Sequence, residues 1–358
     1  MNILQLTGMN STKYGGLENY FVELQKISND NLIWVYNELP KNEQYIKDII
    51  KYGGSLETIN ANNEHKYIKN VIRLIKKEKI DIVQIHFANM YTPIFIRLFY
   101  PKIKIYKIYH SEVLLTNNLK RFAFKILNLP FNKIINVSKG VKDGLEKSIG
   151  KSSKNEVLYL GVKKRPIKNY NLRNDLSISE SDIVITCIGF SISIKGLDTL
   201  IQSIKLLKDK GLANNIKVLI VGVSGSENEK LLNLAEEANI QNNIISLGIR
   251  NDIDDILNIS NIYTQPSRTE AISLSIMEAL NYALPVVATN VGGIPEVVED
   301  RVNGFLCEKE NAKDLSEKLE LLITNTTLRK QFGEESISIA KKFSLEKSVE
   351  KLNDYYHS

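Results

Sequence analysis

No stretch of the 358 residues approaches the roughly 20 uninterrupted apolar positions that a spanning helix needs. Even YTPIFIRLFYPK is cut by Arg97 and Lys102. The opening MNILQLTG lacks the basic stretch and cleavage site of a secretory leader, and reads instead as a first buried strand. Cysteine occurs twice, at Cys187 and Cys307, far apart and in apolar surroundings, so both are expected to be reduced core fillers in a cytoplasmic protein. Internal repeats and low-complexity tracts are absent. VGVSGSE, at 221–227, follows a strand but has neither the third glycine nor the later acid of a dinucleotide fingerprint.

What remains is 43% hydrophobic and 25% charged, enough for two domains, each with its own core. Residues 1–170 carry 28 bases against 14 acids, whereas residues 171–358 carry 19 against 27. The two halves therefore face different partners. Apolar runs recur in both: NILQL, NLIWVY, KIDIVQIHF, IKIYKIYH, KIINVS and EVLYLGV, then DIVITCIGF, IKVLIVGV, NIISLG, NIYTQPS and LPVVAT. They are short, β-branched and not alternating, as strands buried on both faces of a parallel sheet should be. Helical patterns such as HKYIKNVIRLIKKEK and LDTLIQSIKLLKDKG separate them. The chain is thus α/β, with βαβα alternation repeated twice. Domains are expected at 1–165 and 166–342 across the polar stretch 163–175, with a helical tail, 343–358, able to cross back to the first.

The most informative segment is 266–305, PSRTEAISLSIMEALNYALPVVATNVGGIPEVVEDRVNGF. It reads as a strand end, a loop, a helix opening near Ser273 to Ser275, a second strand and a glycine turn at Gly292 and Gly293. Glu270 and Glu278 bracket the helix start, and eight helical steps would separate them by roughly 12 Å. Carboxylates accept from sugar hydroxyls, while the amides near Leu274 suit a pyrophosphate. Spacing alone equally allows Glu270 as a first-turn acid and Glu278 as a solvated surface residue.

Pro266, Ser267, Glu270, Glu278, LPVVAT and GGIPE together are similar to the signature of the retaining glycosyltransferases of family 4. The resemblance extends over almost the whole chain. KYGGLENYFVEL at 13–24 resembles that family's first glycine loop, IVQIHF and KIYHSE its two His-ended strands, and IINVSKGVKDGL its strand-Ser-helix unit. It implies a GT-B fold: two Rossmann-like domains facing each other across a cleft, the first binding acceptor and the second a nucleotide-sugar donor, UDP-linked as the commonest expectation. Transfer would retain configuration at the anomeric carbon, without a cofactor or metal, and no nucleic-acid partner is implied. Glu270 would hold the donor hexose, Glu278 the ribose and Lys195 the diphosphate. Ser273 and Leu274 would supply the helix opening, Ile249 and Arg250 the backbone around the base, and Gly16 and His110 the first domain's contribution. His86, in the parallel position to His110, reads as a packing or turn residue. Two departures stand out: Leu160 where Asn is usual, and Phe190 where the family places an arginine on the diphosphate. Arg268 is the candidate replacement.

Rival readings are a GT-B nucleotide-sugar epimerase and a non-catalytic sugar-nucleotide binding module. The Asp-Ile-Asp at 252–254 reads as helix-start acids, not a metal motif. Between Arg97 and Lys142 stand ten bases and one acid, Glu112, and NLKRFAFKILN sets Lys120, Arg121 and Lys125 among Leu119, Phe122, Phe124, Ile126 and Leu127. This segment makes an anionic membrane surface a candidate partner, with a peripheral protein at the inner face of the cell membrane; a buried domain helix is the alternative.

Overall fold

The computed structural model describes residues 1–9, 15–87 and 89–357 and divides into two units, 1–161 with 345–358, and 162–344. Lys13 and Tyr14, which open the glycine loop, lie outside the described residues. No helix among those described is long and apolar enough to cross a membrane.

The first unit runs β1 (Asn2–Leu6), α1 (Gly16–Ile27), β2 (Asn31–Tyr36), α2 (Glu43–Lys51), β3 (Ser55–Thr58), α3 (Glu64–Lys77), β4 (Ile82–Ile85), α4 (Thr92–Phe99), β5 (Lys104–Tyr109), α5 (Asn118–Leu127), β6 (Lys133–Asn136), α6 (Lys139–Ile149) and β7 (Asn155–Val157). Its sheet order is β3-β2-β1-β4-β5-β6-β7, every pair parallel. The second unit runs α7 (Leu172–Asp175), β8 (Ile183–Ile188), α8 (Ile192–Lys195), α9 (Leu197–Asp209), β9 (Ile216–Val221), α10 (Ser226–Glu237), β10 (Ile244–Gly248), α11 (Ile253–Asn258), β11 (Ile262–Gln265), α12 (Leu274–Leu280), β12 (Val286–Thr289), β13 (Gly304–Cys307), α13 (Ala312–Thr324) and α14 (Thr326–Ala340). Its parallel sheet has the order β10-β9-β8-β11-β12-β13. α15 (Leu345–His357) belongs to the first unit, where the Ser348 hydroxyl donates to the Tyr159 carbonyl at 2.7 Å.

The strands form where short apolar runs can be buried on both faces. In β8 and β9, Ile185 and Val218 enter a core with Leu200, Ile204 and Leu231, while Val184 and Leu219 enter another with Leu172 and Ile256. Cys187 and Cys307 are both free and buried, and burial pushes each thiol up to about 12. β3, which reads SLET at one sheet edge, carries no such apolar signal, and β13, at an edge of the other sheet, is a short apolar run, FLC, behind a glycine. EVLYLGV, by contrast, belongs to β7 only as far as Val157, and Val162 makes an isolated bridge to Ser344.

Each sheet reverses its strand order once, between β1 and β4 and between β8 and β11. Such a switch point opens a crevice at the carboxyl ends of the strands. Gly16 follows β1 and His86 follows β4; Lys195 follows β8 and Glu270 follows β11.

Candidate active site

In the second unit the loop leaving β11 is fixed from three directions. Behind it, the buried Tyr263 hydroxyl donates to Gln265 Oε1 at 2.8 Å, and Gln265 Nε2 donates to Ser267 Oγ at 2.8 Å. On one side the Thr289 hydroxyl, at the end of β12, donates to the Ser267 carbonyl at 2.6 Å, and the Gly293 amide donates to the Glu270 carbonyl at 3.2 Å. Gly292 has φ +52°, and a Cβ there would lie 1.5 Å from the Glu270 carbonyl oxygen, so only glycine admits this approach. On the other side the turn of α8 closes in. The Arg268 amide donates to the Ile194 carbonyl at 2.9 Å, and a Cβ on Gly196, φ +64°, would meet the Pro266 oxygen at 2.0 Å.

This clamp sets Lys195 Nζ 2.6 Å from Glu270 Oε2, with both side chains largely withdrawn from water. The two residues assigned to diphosphate and hexose, 75 positions apart, therefore meet across the switch point. Phe190, where an arginine was expected, is exposed with its ring centre 5.8 Å from the same ammonium.

The helix after Glu270 opens where the sequence places it, while other expectations change. Ser273 caps α12, its hydroxyl accepting from the Ile276 amide at 3.2 Å, and the helix begins at Leu274. Glu270 thus precedes the helix, and its separation from Glu278 is not eight helical rises. Arg268 does not stand ready as a replacement base. Its guanidinium donates to both Asp198 oxygens at 2.9 and 2.7 Å, to Glu310 Oε1 at 2.7 Å and to the Ser193 carbonyl at 2.6 Å. Four of its five N–H donors are occupied, making it a strut between α8, α9 and the loop before α13. The Arg250 side chain is likewise paired with Asp252, through Nε at 2.7 Å and through Nη2, while the neighbouring Ile249 is exposed.

Glu278 lies on α12, partly buried. Burial, then the nearby Asp254 charge, push its carboxyl up to about 7 against the opposing pull of Arg165. Asp254 is itself fixed, accepting from the Tyr282 hydroxyl at 2.8 Å and the Arg165 amide at 3.0 Å. Asp254 and Asp255 occupy the first turn of α11.

The first unit holds the other candidates. The Gly15 amide at the N-cap of α1 donates to the buried Glu18 carboxylate at 3.1 Å, so an anion approaching Gly16 would meet a carboxylate as well as amides. His110 Nε2 lies 2.9 Å from His86 Nδ1, and its ring stacks on both His86 and Phe87. His86 is more than a packing residue. Its Nε2 lies 3.2 Å from both Gln5 Oε1 and Gln84 Nε2, and those amides meet the Tyr356 hydroxyl, Gln5 donating to it at 3.1 Å and Gln84 accepting from it at 2.9 Å. Burial, and then the Lys107 charge, pull His110 down to about 3, so both imidazoles are neutral at physiological pH. Lys107, lowered by burial to about 8, donates to the His86 carbonyl. Gln5, Gln84 and Lys107 escaped notice in the sequence, although each is a polar interruption of an apolar strand.

The family model described as "Glycosyl transferases group 1" matches residues 169–338. An uncharacterized glycosyltransferase of Methanocaldococcus jannaschii is 32% identical over 316 residues, covering 86% of this chain and 82% of that one. The chain belongs to the group 1 glycosyltransferases. The enzyme is also similar to the solved structure of a glycosyltransferase from Rickettsia africae, with a TM-score of 0.86 at 22% identity over 99% and 97% of the two chains. Anabaena HepE in complex with UDP-glucose gives 0.83 at 18% identity over 100% and 99%. These likenesses establish the GT-B fold. Most of the curated relatives are matched over about half of their own length.

The buried chain from Tyr356 to His110 yields a prediction. Tyr356→Phe removes one hydroxyl and leaves the Gln5 and Gln84 amides short of a partner, which costs about 1–3 kcal/mol. Urea unfolding should show that loss, whereas an unchanged midpoint would mean that water replaces the hydroxyl.

Proposed function

We propose that the enzyme is a retaining transferase that moves a hexosyl or N-acetylhexosaminyl group from a UDP-linked donor to a hydroxyl of a glycan or lipid-linked glycan, in polysaccharide or glycan biosynthesis. Residues 1–165 take the acceptor and 166–342 the donor. The observation that carries this reading is the Lys195–Glu270 pair at the switch point. An ammonium has three N–H donors; Glu270 takes one and two remain for diphosphate oxygens. Glu270 keeps acceptor capacity for the hydroxyls of the hexose. With the family arginine replaced by Phe190, Lys195 and the amides near Leu274 carry the diphosphate. A UDP-linked donor is supported by the fold shared with HepE, which was solved with UDP-glucose.

Catalysis then rests on positioning and on stabilising charge at the leaving phosphate. In a front-face reaction that phosphate takes the proton of the incoming hydroxyl, so no general base is required of the protein. Neutral His110 contacts donor or acceptor as a hydrogen-bond partner. No metal takes part, because Lys195 and the amides meet the phosphate charge. The protein works at the inner face of the cell membrane as a peripheral enzyme.

Incubation with UDP-α-glucose and an acceptor panel in EDTA should yield an α-linked product by proton NMR. A β-linked product, or activity that returns only with manganese, would overturn the mechanism.

Glu278, assigned to the ribose, supplies a pH test. A carboxyl raised to about 7 is neutral below that pH and charged above it, and ribose hydroxyls favour the charged acceptor. Affinity for UDP-glucose, whose diphosphate does not titrate in this range, should rise with pH through a midpoint at about 7 and level off above it. Glu278→Gln should flatten the curve in calorimetric titrations; an unchanged curve would remove Glu278 from the ribose site.

A further inference from the structure

α5 contributes no buried residue to the fold. Leu119, Phe122 and Ile126 stand at i, i+3 and i+7, share one face, and are 76%, 64% and 44% exposed. The helix is held from its other side, where Arg121 Nε donates to the Ser148 carbonyl at 2.8 Å, its Nη2 donates to the Lys147 carbonyl, and Phe124 packs near Tyr109. Arg121 is therefore an anchor of the helix and not a free base.

α4 also exposes large apolar side chains, Phe95, Leu98 and Phe99. Arg97 joins the two elements: its guanidinium donates to the Pro101 and Ile103 carbonyls after α4, and to the Pro130 carbonyl and Asn132 Oδ1 after α5. Leu129 is exposed in that same turn. Large apolar side chains exposed together in this way mark an interaction site.

Charge selects the occupant. Lys120 and Lys125 flank the stripe on α5, both exposed, and Lys102 is exposed just beyond α4. The one acid between Arg97 and Lys142 is Glu112, which lies against Gly144 of α6. A second copy docked face to face would set Lys120 and Lys125 against lysines of the same face. An anionic bilayer instead receives the apolar side chains among its acyl chains and the lysines among its headgroups. At ten residues, roughly 15 Å, α5 is long enough to lie in that interface and too short to cross it.

We propose that α4, the turn at Leu129 and α5 form a membrane-docking face that binds anionic lipid. The inference deepens the peripheral-enzyme reading above, and rests on it only for the identity of the acceptor.

The test is co-sedimentation of the full chain with vesicles of phosphatidylcholine alone or mixed with phosphatidylglycerol. Two variants, Phe122→Ser/Ile126→Ser and Lys120→Glu/Lys125→Glu, leave Arg121 in place. The wild type should pellet with the anionic vesicles only and be released as salt rises. Each variant should lose partitioning by on the order of tenfold or more, while keeping its thermal melt and its rate of UDP-sugar hydrolysis. Equal partitioning of wild type and both variants would overturn the proposal. So would a wild-type dimer, seen by sedimentation velocity, that the variants dissolve without any vesicle binding. Vesicle binding by a wild type that hydrolyses no UDP-sugar would sink the donor assignment and leave the docking face standing.

Discussion

An ammonium and a carboxylate drawn 2.6 Å apart and largely out of water gain attraction only at the cost of two hydration shells, so such a pair contributes little net stability. Its persistence therefore has to be imposed by the surrounding fold. Here the imposition is steric as much as electrostatic. Gly196 lets the turn carrying Lys195 reach Pro266, Gly292 lets the turn after β12 reach Glu270, and Arg268 spends its donors tying α8 and α9 to the same loop. The parallel sheet brings these loops together because β8 and β11 are neighbours although four helices and two strands separate them in sequence. Fold, glycines and ion pair form one device, and the chemistry assigned to the second unit follows from it.

The first unit shows the complementary arrangement, a buried chain of neutral polar groups. Gln5, Gln84 and His86 sit in or beside central strands where apolar side chains would pack at lower cost, and their bonds to one another and to Tyr356 offset their burial. The chain ties the C-terminal helix to the ring of His110. Lys107, charged and buried beside it, opposes protonation of either imidazole.

The sequence reveals whatever is written locally. NLIWVY and LPVVAT announce central strands because burial on both faces demands unbroken apolar runs, whereas SLET, at a sheet edge, need not be apolar and passes unseen. Glu270 and the helix opening after it were legible through the motif, but the path of the loop between them was not, because it is set by distant contacts such as Gly292 against the Glu270 carbonyl. The commitment of Arg268 was invisible, since its partners Asp198 and Glu310 lie 70 and 42 residues away. Tyr356 was hidden for the same reason, 351 residues from Gln5. Likewise α5 reads as amphipathic in either setting, and only the packing shows its apolar face turned outward.

The central claim is that Lys195 and Glu270 act on the donor as a unit, and a double-mutant cycle tests it most directly. Initial rates of UDP-sugar turnover would be compared for wild type, Lys195→Met, Glu270→Gln and the double variant. The account predicts that each single change costs on the order of a hundredfold, and that the double variant is scarcely worse than either, a coupling of about 2.7 kcal/mol. Strictly multiplicative losses, or single variants that turn over donor at the wild-type rate, would contradict it.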